Sequence, residues 1–178
     1  MAKKDKKKTV AVDLDSPENK LLMQLKDGMV TIQLRPDWAP RHVKRIKELV
    51  REGFYDGIVF HRVIDGFMAQ TGDPTGTGTG GSGKNIKAEF NKTPHDRGIC
   101  SMARAMNVDS ADSQFFICFK NANFLDGQYT AWGKVIDGME HVDKIARGEP
   151  PAQPDKMIRV CVAADVAAEM SDSLATAL

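Results

Sequence analysis

The sequence predicts a mainly β domain, an antiparallel barrel or sandwich with two amphipathic helices placed to plug its open ends. Three observations lead there. Eight apolar stretches are short and rich in strand-forming residues. Only two segments carry helical spacing, and the strands do not alternate with them, which disfavours a parallel βαβ sheet. The chain is 178 residues long and 42% hydrophobic, enough for one domain with a sizeable core.

Residues 1–18 read as a polar, flexible leader, with five Lys against one Asp in the first eight positions. Its basic start is like that of an export signal. However, Asp13 and Asp15 cut the following apolar stretch well short of the roughly 7 to 15 residues such a signal needs. Residues 21–25 and 29–34 read as a hairpin about Lys26-Asp27-Gly28, where the glycine would supply a positive-φ turn position. A helix is expected over 40–52. Pro40 suits its first turn, Val43, Ile46, Leu49 and Val50 share a face, and Gly53 follows its end. Further strands are expected at 58–63, 67–71, 98–104, 114–119, 130–136 and 157–163. A second helix fits 139–146, where Met139, Val142, Ile145 and Ala146 recur at helical spacing before Gly148. The domain is therefore bounded at 19–165, and 166–178 is a tail, frayed or helical through Val166, Met170 and Leu174.

The balance of 25 basic against 24 acidic residues gives a net charge of +1, which argues against general attraction to nucleic acid or anionic membrane. No run of about 18 apolar residues offers a bilayer-spanning helix. Cys100, Cys118 and Cys161 are odd in number and lack zinc spacing, so they read as strand thiols in a reducing cytoplasm. His42, His61, His95 and His141 show no metal-ligand pattern, and no metal or cofactor is expected. Six glycines between Gly72 and Lys87 mark an irregular loop. It contains G-x-G-x-x-G and a near P-loop, but Asn85 stands where a Mg²⁺-binding hydroxyl belongs, and neither motif has a strand before it and a helix after it. Nucleotide binding is not expected.

One segment differs in kind: Phe60-His61-Arg62-Val63-Ile64-Asp65-Gly66-Phe67-Met68-Ala69-Gln70-Thr71-Gly72-Asp73. Strand alternation puts Met68 and Gln70 on one face, while Arg62 lies across the Asp65-Gly66 turn, where periodicity alone cannot place it. Taken alone, Phe67 and Met68 read as core. With GTGG, SMARA, SQFFI, FLDG and WGKVIDGM following in order, the sequence from Asn19 to Asp165 resembles the cyclophilins, the barrel-shaped peptidyl-prolyl cis-trans isomerases.

That resemblance implies a closed eight-stranded antiparallel barrel capped by two helices, and rotation about Xaa-Pro amides as the reaction. Arg62 matches the family's catalytic arginine. Phe67, Met68, Phe116 and Leu125 would seat the proline ring, and Gln70 would hold the substrate backbone and help orient Arg62. Ala103 and Arg104 would form the neighbouring rim, with Gln114 bordering the groove. Phe124, Tyr129 and Arg104 replace the Trp, His and Asn of many eukaryotic members, and the lost indole N–H implies weaker cyclosporin binding. The partners implied are proline-containing peptides and unfolded or folding proteins, met by a monomer in the cytoplasm. A proline-peptide binding or holdase module is the alternative, and the retained Arg62 argues against it, since binding alone needs no donor aimed at the amide nitrogen.

Overall fold

The computed structural model describes residues 11–167, so the Lys run of the leader and all but the start of the expected tail lie outside the described residues. All eight expected strands form: β1 (Lys20–Leu25), β2 (Gly28–Leu34), β3 (Arg62–Ile64), β4 (Met68–Thr71), β5 (Ile99–Met102), β6 (Phe115–Cys118), β7 (Ala131–Asp137) and β8 (Arg159–Val162). Two α-helices accompany them, α1 (Pro40–Arg51) and α2 (Met139–Val142), and a helical stretch begins at 163 and runs to the last described residue, 167. Every neighbouring pair in the sheet order β3-β4-β6-β5-β7-β2-β1-β8 is antiparallel.

The expected closed barrel needs a correction. β3 and β8 end the order, and no ladder joins them. The curled sheet is completed by isolated bridges, Val59 opposite Lys156 and Val63 opposite Gly148. Gly57 N–H donates to the Met157 carbonyl at 2.6 Å and Phe60 N–H to the Asp155 carbonyl at 2.8 Å. The approach to β8 carries Pro150, Pro151 and Pro154, which have no N–H to offer a continuous ladder.

Side-chain alternation separates two apolar clusters. Ala69, Phe115, Ile117 and Trp132 turn into the barrel and meet Val43, Ile46 and Leu49 of α1. Tyr55, Phe115 and Trp132 pack edge to face with ring centroids 5.5 and 5.3 Å apart, so side chains fill the interior. Met68, Phe116 and Cys118 turn outward instead and form a smaller cluster with Ala122 and Leu125. Burial raises the Cys100 thiol pKa well above its ordinary value and pushes that of Cys118 up to about 12.

α1 buries the expected face together with His42. Ala39, at its N-cap, has no side-chain acceptor. Glu89 takes that role from a distant loop, accepting from the amides of Arg41 and His42 at 3.2 and 2.8 Å. At the other end of α1, Glu18 pairs with Lys47 and Arg51, and Arg51 also reaches Asp165.

Two local expectations fail for identifiable reasons. α2 stops at Val142 because the Ala146 amide is drawn to the Asp155 carboxylate at 2.8 Å, while Ile145 N–H bonds three residues back to Val142. The first hairpin turns on Lys26 and Asp27 alone, with Leu25 paired to Gly28. Gly28 has the expected positive φ, +157°, but opens β2 and lies outside the two-residue turn; a Cβ there would come within 2.4 Å of the His141 ring.

Candidate active site

Four strands place the site through their register. Arg62 of β3 lies opposite Gln70 of β4, Gln70 opposite Phe116 of β6, and Phe116 opposite Ser101 of β5. This row answers what alternation left open: Arg62 joins Met68 and Gln70 on the outer face of the barrel.

A hollow of about 130 Å³ opens on that face. At roughly 30 Å³ per liquid water it holds about four waters' volume, the scale of a small ring. Phe67, Met68, Phe116 and Leu125 form its apolar lining, with Tyr129 edge-on to Phe116 at 5.9 Å between centroids. Arg62, Gln70, Ala103 and Arg104 make its polar margin. Phe124 stands outside the lining, 63% exposed, with its ring against Phe67 at 5.4 Å. Gln114 also stands apart, in an adjoining polar hollow of about 360 Å³ that shares Gln70, Ala103 and Arg104.

Arg62 is held by two partners. Its Nε–H donates to Glu149 at 3.0 Å and its Nη1 to Gln70 at 3.4 Å. Among the described residues none takes a hydrogen bond from Nη2, which leaves that edge of a half-exposed guanidinium for a ligand. Gln70 in turn donates to Gln114 at 3.0 Å, and Gln114 donates to the carbonyls of Gly78 and Gly80 at 3.1 and 2.9 Å. A continuous chain of amides thus ties the guanidinium to the glycine loop.

That loop inverts the phosphate-cradle pattern its sequence resembles. Its backbone amides donate to the protein's own carboxylates. Asp73 accepts from the amides of Thr75, Gly78 and Gly80 at 2.8, 2.6 and 3.1 Å and from the Thr75 hydroxyl at 2.7 Å. Asp112 accepts from the amides of Ser82 and Gly83 at 3.0 and 2.9 Å. A Cβ on Gly80 would come within 2.2 Å of Asp73, and one on Gly81 within 2.5 Å of Asp112, so this close approach needs glycine. Burial alone would raise the pKa of Asp73, but the Thr75 hydroxyl and the loop amides outweigh it and hold the carboxyl at about 2.

Arg104 stands at the rim with its guanidinium engaged by the protein's own backbone: Nε and Nη2 donate to the Gln128 carbonyl at 3.1 and 2.9 Å, and Nη1 to that of Ala105 at 3.0 Å. Its guanidinium lies 4.7 Å from the centre of the Tyr129 ring. Arg104 and Tyr129, two of the three departures noted in the sequence, are therefore one packed unit. The Ala103 amide is also engaged, bonded to the Gln114 carbonyl at 2.9 Å, so a peptide can pair there only with the Ala103 carbonyl.

Glu149 escaped the sequence reading. It lies 87 residues from Arg62, in a Gly-Glu-Pro-Pro stretch with no periodicity to assign it a face. His61, one of the four histidines without a metal-ligand pattern, is buried, with both ring nitrogens unpartnered and its pKa lowered, first by that burial and then by Arg62. Among the described residues no group of His, Cys, Asp and Glu could hold a metal ion.

Comparison with known proteins gives a consistent result. The family model described as "Cyclophilin type peptidyl-prolyl cis-trans isomerase/CLD" matches residues 20–162. The chain is 51% identical over 166 residues to a protein of Brucella suis biovar 1 named "Probable peptidyl-prolyl cis-trans isomerase", covering 84% of this chain and 85% of that one. It is 44% identical over 128 residues to peptidyl-prolyl cis-trans isomerase B of Bacillus subtilis, covering 70% and 89%. Among solved structures, a cyclophilin from Hirschia baltica superposes with a TM-score of 0.78 at 29% identity, covering 84% of this chain and 76% of that one. A cyclophilin-type isomerase from Cryptosporidium parvum, crystallised in the presence of the dipeptide Ala-Pro, superposes with a TM-score of 0.75 at 30% identity, covering 80% and 98%. With the family model spanning nearly the whole barrel, the chain belongs to the cyclophilin-type peptidyl-prolyl cis-trans isomerases.

Proposed function

We propose that this chain binds Xaa-Pro segments of peptides and folding proteins with the proline ring in the outer hollow, and that Arg62 is its catalytic residue. The observation that carries the reading is the uncommitted Nη2 edge of Arg62 at the margin of an apolar hollow lined by Phe67, Met68, Phe116 and Leu125. The Ala-Pro dipeptide present with the Cryptosporidium relative supports a proline ligand of this kind.

The chemistry follows from the amide. Planar resonance sets a rotation barrier of about 18–20 kcal/mol, which leaves isomerisation at tens to hundreds of seconds. A gain of roughly five decades requires about 7 kcal/mol of binding specific to the twisted state. As the amide twists, its nitrogen becomes pyramidal and acquires a lone pair that accepts a hydrogen bond. The planar isomers offer no such acceptor, so a fixed cationic donor beside that nitrogen favours the twisted state over both. No bond breaks and none forms. The guanidinium keeps its charge through the neutral range, which makes the step nearly independent of pH there.

Exchange spectroscopy on a short Xaa-Pro peptide tests this. The wild type should speed cis-trans exchange, and Arg62→Ala should slow it by about 10²–10³ with an unchanged fold. Equal exchange rates for the two proteins would refute the assignment. Cyclosporin gives a separate test of the rim. Phe124 presents ring area without an N–H, so Phe124→Trp should tighten cyclosporin binding by about fivefold or more in calorimetry, the worth of one recovered hydrogen bond. No gain on that substitution would remove the role given to the missing donor.

A further inference from the structure

We propose that Glu149 is a positioning residue that locks the orientation of the Arg62 guanidinium; this rests on Arg62 being the donor to the twisted amide. β3 is a three-residue strand, and a short arginine-bearing strand at a sheet edge would normally leave its side chain free to swing. Here both flanks of β3 are covered. On one side the β3–β4 ladder sets Arg62 opposite Gln70. On the other, Val63 and Gly148 exchange both amide hydrogen bonds, each at 2.8 Å. In an antiparallel bridge the next residue on one strand faces the preceding residue on the other, so Val63 paired with Gly148 brings Arg62 opposite Glu149. The arginine is therefore the middle member of a cross-strand row, Gln70–Arg62–Glu149.

The two neighbours take different atoms of the fork. Glu149 Oε1 accepts from Nε at 3.0 Å and Gln70 Oε1 accepts from Nη1 at 3.4 Å. Because the guanidinium is planar and rigid, two acceptors on different nitrogens fix its plane and its roll about the side-chain axis. Gln70 alone would leave the plane free to rotate about a single long contact. With both partners in place Nη2 is the edge left over, and its direction is set before a substrate arrives. Such preorganisation lowers the cost of reaching the transition state and contributes little to ground-state binding.

Both side chains are about half exposed, 46% for Arg62 and 57% for Glu149, so the effect is that of a solvent-screened pair. Removing it should change the rate by about two- to fivefold. The test combines kinetics with a direct reading of the arginine. In Glu149→Ala, kcat for an Xaa-Pro peptide should fall about two- to fivefold with KM within about twofold of wild type. Glu149→Gln, which keeps an acceptor oxygen without the charge, should fall in between. In proton–nitrogen correlation spectra the Arg62 Nε–H signal, identified by its loss from Arg62→Lys, should shift in Glu149→Ala and exchange with water faster. An unmoved Nε–H signal in Glu149→Ala, or kcat equal to wild type, would overturn the proposal. The Nε–H signal does not depend on turnover. A wild type unable to speed exchange would therefore count against the proposed function, while the positioning by Glu149 would still be decided by its own spectrum.

Discussion

Arg104 shows how one side chain can change meaning between sequence and structure. Its place in SMARA suggests a rim residue beside the groove, and the hydrogen bonds of its guanidinium all go to backbone carbonyls. It clips the segment after β5 to the loop before β7 and presses on the Tyr129 ring at 4.7 Å, and that ring walls the outer hollow. A cation–π contact between such partly buried groups is worth on the order of 1 kcal/mol, about fivefold in an equilibrium. Arg104→Ala should therefore raise KM for an Xaa-Pro peptide about fivefold with little change in kcat, since a looser wall weakens ground state and transition state together. Arg104→Lys should not restore it, because an ammonium cannot fork to Gln128 and Ala105 while stacking on the ring. Initial-rate measurements across a range of substrate concentrations separate the two constants.

Among the elements, the glycine loop carries the clearest acid-sensitive contact. An Asp carboxyl titrates near 3.9 in an unfolded chain, whereas Asp73 is held at about 2 in the fold. As pH falls the unfolded chain takes up its proton first. The stabilisation is therefore complete above about pH 4 and is lost progressively toward pH 2, and it amounts to on the order of 2 kcal/mol. Asp73→Asn should lower Tm at neutral pH and flatten the decline of Tm between about pH 4 and 2; a melting series across that window checks both. The loop also supports Gln114, and through it Gln70 and Arg62, so Asp73→Asn should slow isomerisation without touching the hollow. The elements were otherwise well legible. Short apolar runs located every strand, and the face of α1 followed from its 3.6-residue spacing, because local periodicity encodes which side is buried. Contacts between distant segments were not legible. Glu89 capping α1 and Gly148 bridging Val63 join residues far apart in the chain, and Asp155 cuts α2 short from nine residues beyond Ala146, across a proline-rich stretch with no periodicity; nothing in a local window announces them.

At the scale of the whole molecule, the barrel is a filled scaffold and the site is a small apolar cluster on its outside. The same alternation builds both: Phe115 and Ile117 go in, Phe116 and Cys118 go out. The apolar lining could be read from residue type together with the family resemblance. The geometry that makes it a site could not, since it needs the β3–β4–β6 register and the bridges that complete the curled sheet. In the function proposed above, a proline ring sits in this hollow while its amide turns beside Arg62. Nuclear Overhauser contacts between the ring protons of an Xaa-Pro peptide and the protein, recorded while that peptide exchanges between cis and trans, test it most directly. A ring seated in the hollow gives contacts to the Met68 methyl and to the Phe116 and Tyr129 rings, with the exchange enhancement disappearing in Arg62→Ala. Enhanced exchange accompanied by contacts only in the neighbouring polar hollow, near Gly80 and Ser110, would contradict it.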